Sequence, residues 1–221
     1  MFYRAIEPQI SKATINWRIY TLVQTDVLER IGKGIFKIGK NQTFTPEITS
    51  QQKAIYRNLY RKFPFSQFSI WNTNILNEFS LHQSNLAFTL VEVEKDSVQS
   101  VFYNIRENKN NVFLEPSGET IENYILLVKN PIIIKTLISE APVQTVQNIP
   151  VPTIEKILVD LYCDKDLFFA YQGKELHTIF KEVFLKYTIN QSKMLRYSSR
   201  RGKKEEFKEY LNRVQIIGNK N

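Results

Sequence analysis

Residues 86 to 114 read LAFTLVEVEKDSVQSVFYNIRENKNNVFL, and the class of the fold turns on them. Leu86 to Val93 is apolar on both faces, the pattern of a strand in the middle of a sheet, where neither face meets water. Asp96 and Gln99 stand at capping-box spacing before a helix that carries Val98, Val101, Phe102 and Ile105 on one side. Val112 to Leu114 then returns to a β run. Working outward, Tyr124 to Val128 supplies another strand. On the near side Phe65 to Trp71 adds one with Phe68 and Ile70 on one face, and Asn72 can cap a brief helix through Phe79. Alternating strands and helices predict an α+β (mixed α/β) body around a mixed sheet.

Upstream, Thr45-Pro46-Glu47 offers a cap, a proline at the first helical position and an acid in the first turn, so a helix is expected from there to Lys62. Its exposed side should carry Lys53, Arg57, Arg61 and Lys62. Further back the chain reads SKATINWRIYTLVQTDVLERIGKGIFKIG from Ser11 to Gly39. Ser11 or Thr14 can cap a helix whose Ile15, Ile19, Leu22 and Val23 make one apolar stripe. Leu28 to Ile31 and Ile35 to Ile38 are β runs joined by Gly32-Lys33-Gly34, a hairpin signal, because glycine supplies the positive φ of a tight turn. Helix, turn and basic hairpin form the second half of a winged helix-turn-helix. It is a partial one, since only about ten residues precede the helix. Lys12, Asn16 and Arg18 are expected opposite the apolar stripe, where an Asn can pair with adenine and an Arg with guanine. Arg30, Lys33 and Lys37 on the hairpin are expected to meet phosphates.

Downstream, ValProThrIleGluLysIleLeuValAsp at 151 to 160 reads as a helix opened by Pro152, with Ile154, Ile157, Leu158, Leu161 and Tyr162 on one wide face. Lys156 and Asp160 stand four apart and can pair across a turn, on a solvated or structurally paired face. Six cations and no acid lie between Lys193 and Lys204: Lys193, Arg196, Arg200, Arg201, Lys203 and Lys204. They make a possible second basic surface. A final helix follows with Phe207, Tyr210, Leu211 and Val214 on one side, so it docks on the rest of the chain.

The charges are unevenly spread. The chain of 221 residues has a net charge of +8, composed of +7 over residues 1 to 64, −5 over 65 to 192 and +6 over 193 to 221. Two basic ends flanking an acidic body suggest a nucleic-acid-binding segment, residues 1–64, joined to a different module, residues 65–221. The longest stretch without a charged residue, Phe63 to Asn77, is too short and too polar to cross a bilayer, so no membrane partner is expected. Met1 to Ile10 carries Arg4 and Glu7 and lacks the pattern of a secretory signal, which makes the cytoplasm the expected compartment.

Chemistry finds little support. Cys163 is the one cysteine and His82 and His177 the two histidines, so neither a disulfide nor a Cys/His zinc site is expected. No glycine falls in a dinucleotide or P-loop motif. Nucleotidyltransferases place Gly-Ser at a helix start and Asp-x-Asp on a strand to bind two Mg²⁺ ions. This chain has no Gly-Ser, and its Asp164-Lys165-Asp166 follows a helix, where a helix-end turn is the better reading. Cys163, at the end of an apolar helix, is expected to be a buried inert thiol. No catalytic residue, cofactor or metal is assigned.

ThrIleAsnTrpArgIleTyr at 14 to 20 and LeuGluArgIleGlyLysGlyIlePhe at 28 to 36 resemble the winged-helix segment of the AbiEi-type antitoxins, bacterial transcriptional regulators of abortive-infection, type IV toxin-antitoxin pairs used in phage defence. Trp71-Asn72-Thr73, PheThrLeuValGluValGlu at 88 to 94, ValPheTyrAsnIle at 101 to 105, the 151 to 160 segment and LysMetLeuArgTyrSerSerArgArgGlyLys at 193 to 203 are similar to the C-terminal region of the same group. The resemblance implies an antitoxin-like regulator that binds operator DNA, neutralises a cognate nucleotidyltransferase-type toxin and is not itself an enzyme. Two alternatives stay open: a nucleotidyltransferase-like enzyme, and a protein interaction module without DNA binding.

Overall fold

A computed structural model of the protein describes residues 9–25, 27–39, 42–82, 84 and 86–218, with the side chains of 215–218 excepted. Most of the Met1 to Ile10 stretch, and Asp26, therefore lie outside the described residues.

Four strands form the main sheet: β3 (Phe68–Asn72), β4 (Thr89–Val93), β5 (Val112–Leu114) and β6 (Ile132–Thr136), in the spatial order β3-β4-β6-β5. β3 pairs with β4 antiparallel, whereas β4 and β5 both pair with β6 in parallel, so the sheet is mixed. β4 is an interior strand with all five residues buried, as its two-sided apolarity requires.

Strand alternation sorts the side chains into two cores. Ile70, Val91, Val93, Ile132 and Ile134 face the helices Ser50–Lys62 and Val98–Arg106. Trp71, Leu90 and Ile133 face the opposite layer. That layer is built from the helices Ile154–Cys163, Lys174–Lys186, Gln191–Arg200 and Lys204–Gly218. Counting from the N-terminus, the helices are α1 (Lys12–Gln24), α2 (Ser50–Lys62), α3 (Val98–Arg106), α4 (Gly118–Asn123), α5 (Ile154–Cys163), α6 (Lys174–Lys186), α7 (Gln191–Arg200) and α8 (Lys204–Gly218). Two hairpins complete the fold, β1 (Leu28–Gly32) with β2 (Ile35–Ile38) and β7 (Val143–Val146) with β8 (Ile149–Pro152). The α+β class with a mixed sheet and C-terminal helices is thus the observed architecture.

Several local expectations move. The helix expected from Thr45 starts at Ser50, because Thr49 and Gln52 form a complete capping box: Gln52 N–H donates to the Thr49 hydroxyl at 3.2 Å and Thr49 N–H to Gln52 Oε1 at 2.9 Å. The box expected at Asp96 and Gln99 does not form; a 3₁₀ turn over Lys95–Ser97 leads into α3 without a side-chain cap. Tyr124 to Val128 is no strand. A 3₁₀ turn occupies Ile125–Leu127 there, and the missing strand is β6, which starts just after Pro131. Pro152 ends β8, and Thr153 is the residue that precedes α5. Helix α2, expected with the N-terminal segment, packs Ile55 and Leu59 on the sheet together with Phe68 and Val91.

Candidate nucleic-acid interface

Helix α1 begins where Ser11 accepts a hydrogen bond from Thr14 N–H at 3.0 Å. None of its residues is buried. It lies against β1, and β1 in turn lies against α7. The hairpin closes at Gly34, whose φ of +74° favours glycine, with a bulge between Arg30 and Gly32. Arg30 donates from Nε to the Gly32 carbonyl at 3.3 Å, and its guanidinium sits 6.0 Å from the Phe36 ring centre. Both contacts hold the arginine in place beside the turn.

These elements enclose an open groove of about 840 Å³ lined by Asn16, Tyr20, Arg30, Lys193 and Arg196, among others. Asn16 and Arg196 are exposed; Arg30 and Lys193 are half-buried. Asn190 caps α7 by accepting from Lys193 N–H at 3.0 Å, which fixes where the first turn of α7 meets the groove. The two basic segments expected to act separately therefore meet at one surface.

The helical wheel corrects part of the expectation. At about 100° per residue, Arg18 falls on the Ile15–Leu22 row, three residues after one and four before the other. Arg18 is half-buried accordingly and does not line the groove. Lys12, three residues before Ile15 and seven before Ile19, also falls on the side of the stripe and is exposed at the helix start, while Asn16 is exposed on the flank. The face opposite the stripe carries Trp17 and Tyr20, which are 66% and 62% exposed. On the hairpin Lys33 is exposed at the turn, while Lys37 pairs with Glu29 at 3.2 Å.

The tail also differs from a free basic surface. Arg201 is largely buried, bridging Asp160 at 3.0 Å and Asp164 at 2.5 Å. Arg200 pairs with Glu140, Lys203 with Glu206 at 3.2 Å and Lys193 with Glu155 at 3.8 Å. Arg196 and Lys204 make no ion pair among the described residues. Four of six expected surface cations thus have an acid beside them: for Lys193, Arg200 and Arg201 it comes from residues 140–164, far away in sequence, and for Lys203 from Glu206 in α8.

Arg201 belongs to a buried ionic cluster that sequence reasoning did not assemble. Lys156, with no exposed surface, donates to both carboxylate oxygens of Glu92 at 2.6 Å and to Asp160 Oδ2 at 2.5 Å. The Tyr197 hydroxyl donates to Asp160 Oδ1 at 2.9 Å, and Lys135 reaches Asp164 at 3.0 Å. Burial alone would lower the Lys156 ammonium, but Asp160 and Glu92 outweigh it and hold it charged, well above its ordinary range. Burial likewise works to raise Asp164, and Lys135 with Arg201 overcomes it, holding that carboxyl below the usual range. Three cations balance three carboxylates between β4, β6, α5 and α7. With no opening to solvent at Lys156, the cluster ties the C-terminal helices to the sheet.

The remaining candidates for chemistry are quiet. Burial pushes the Cys163 thiol up to about 11, against thiolate chemistry. Asp164 ends α5 and is held by Lys135 and Arg201, in line with a helix-end turn. Among the described residues no group of three or more His, Cys, Asp or Glu is placed to hold a metal ion, and no helix is long and apolar enough to cross a membrane.

The model of a family described as "Family of unknown function (DUF6577)" matches residues 14–217, nearly the whole chain. No curated protein matches it.

Proposed function

The chain belongs to the DUF6577 family, and we propose that it works as an antitoxin-like transcriptional regulator that binds operator DNA and neutralises a cognate nucleotidyltransferase-type toxin. One observation carries the DNA half: Asn16, Arg30, Lys193 and Arg196, from three elements and both ends of the sequence, border one open groove. A basic rim that also carries an amide suits phosphate contacts beside a base-edge contact. Asn16 reads a base, Lys12, Arg30 and Lys33 hold phosphate, and Arg196 adds a contact from α7. Arg18 and Lys37, half-buried and ion-paired respectively, support the geometry. The toxin half rests on the resemblance of the body to the AbiEi-type C-terminal region, with no catalytic role for the chain.

A second reading, an interaction module without DNA binding, is favoured by one feature. Trp17 and Tyr20 stand outward on a helix that buries none of its residues, as a protein-docking helix would. Band-shift titration on the chain's own upstream DNA at two salt concentrations separates the readings. Operator binding predicts that Asn16→Ala costs about 1–3 kcal/mol at one base pair, while Lys33→Ala weakens all duplexes alike. Equal, weak binding to every duplex sinks the operator claim. Co-expression with the neighbouring reading frame tests neutralisation.

A further inference from the structure

Helix α2 is amphipathic in an unusual way. Gln52, Ile55 and Leu59 turn into the core, and the other side carries Lys53, Tyr56, Arg57, Tyr60 and Arg61 within an arc of roughly 140°. The Tyr56 and Tyr60 rings lie 5.8 Å apart with their planes inclined by 38°. Tyr60 is 60% exposed. Lys62 at the helix end pairs with Glu107, but Lys53, Arg57 and Arg61 have no ion-pair partner among the described residues.

The two tyrosines wall a hollow of about 330 Å³ that also touches Phe68, Glu140 and Val143. A second hollow of about 470 Å³ shares Glu140 and Val143 with the first, and Lys193 and Arg196 with the groove of α1 and the hairpin. The second hollow thus has lining residues in common with both the tyrosine hollow and that groove. Unpaired cations interleaved with an exposed Tyr60 ring, which is backed by the half-buried Tyr56, fit a polyanion whose bases are free to leave their own stack. A duplex keeps its base faces stacked inside and offers only phosphates and groove edges, on neither of which a tyrosine ring can stack. A protein partner would need acidic groups against the cations, and it predicts no preference for a single strand over a duplex.

We propose that this face of α2 holds a single-stranded nucleic acid, with phosphates on Lys53, Arg57 and Arg61 and a base stacked on Tyr60. The residues are not those of the operator groove, so this site and duplex binding stand or fall separately.

Fluorescence anisotropy of the full chain with a labelled 20-mer of deoxythymidine, and with a duplex of equal length, tests the idea across a salt series. Three phosphate contacts predict a slope of log affinity against log salt of about −2 for the single strand. Tyr60→Ala should weaken single-strand binding roughly tenfold and leave the duplex unchanged, whereas Tyr60→Trp should preserve it. Arg57→Ala should reduce the slope by about 0.7. Tyr60 is exposed, so its replacement does not threaten the fold. Absence of single-strand binding, or binding indifferent to Tyr60→Ala, overturns the proposal. So does a concentration-dependent dimer, seen by sedimentation, that Tyr60→Ala abolishes, since the face would then cover a second copy. Loss of duplex binding in Arg196→Ala with the single strand retained bears on the operator groove alone.

Discussion

Lys156 shows how much of a site one residue conceals. Its spacing to Asp160 is readable from sequence, and the pair forms at 2.5 Å as i,i+4 geometry allows. Its burial is not readable, because Glu92, the other half of its environment, comes from a strand 64 residues earlier. The hint was the carboxylate itself: a lone acid inside PheThrLeuValGluVal, on the Leu90 side of a strand without a solvent face. A buried ammonium between two carboxylates is costly to assemble and more costly to break. Removing one member leaves the others charged in a low-dielectric interior. Lys156→Met is therefore expected to destabilise the fold by about 3–5 kcal/mol, and adding Glu92→Gln should recover part of that loss. Urea unfolding of the two variants measures both, and a single-variant cost below about 1 kcal/mol would mean that the cluster is not as dry as its burial indicates.

Elements with a long period or a strong cap were legible: α1 from Ser11, the β1–β2 hairpin from its glycines, α5 from its wide apolar face. Short elements were not. Tyr124 to Val128 and Ile132 to Thr136 both carry at least three consecutive apolar residues, and local pattern cannot say which one finds partners. The second does, between β4 and β5, and Leu127 is left 82% exposed in the first. The β7–β8 hairpin escaped for a different reason. Pro150 and Pro152 argue against a strand, and the turn is Gln147-Asn148, without glycine, though both residues take positive φ, 50° and 64°. That conformation is the left-handed turn a two-residue hairpin prefers, and for glutamine it carries strain. Gln147→Gly should consequently raise stability by about 0.5–1 kcal/mol, a rise in melting temperature with the β8 pairing intact. A fall would show that glycine's extra freedom in the unfolded chain outweighs the strain.

At the scale of the molecule, the net charge of +8 is a poor guide to where a polyanion would sit. Part of the C-terminal excess is internal or paired: Arg201 lies inside the ionic cluster and Arg200, Lys193 and Lys203 each face an acid. Position, then, decides what a cation contributes. Arg196 and Lys204 have the same charge and are both exposed without an ion pair among the described residues, but Arg196 lines the groove with Asn16 and Arg30, while Lys204 sits at the start of α8. If duplex DNA occupies the groove, Arg196→Ala should reduce the slope of log affinity against log salt by about 0.9, the release of one counterion, and Lys204→Ala should leave it where it was. If binding follows net charge alone, the two substitutions act alike. The comparison holds charge and exposure nearly constant, so a difference between the slopes reports the groove itself, and equal slopes remove it as the seat of DNA binding.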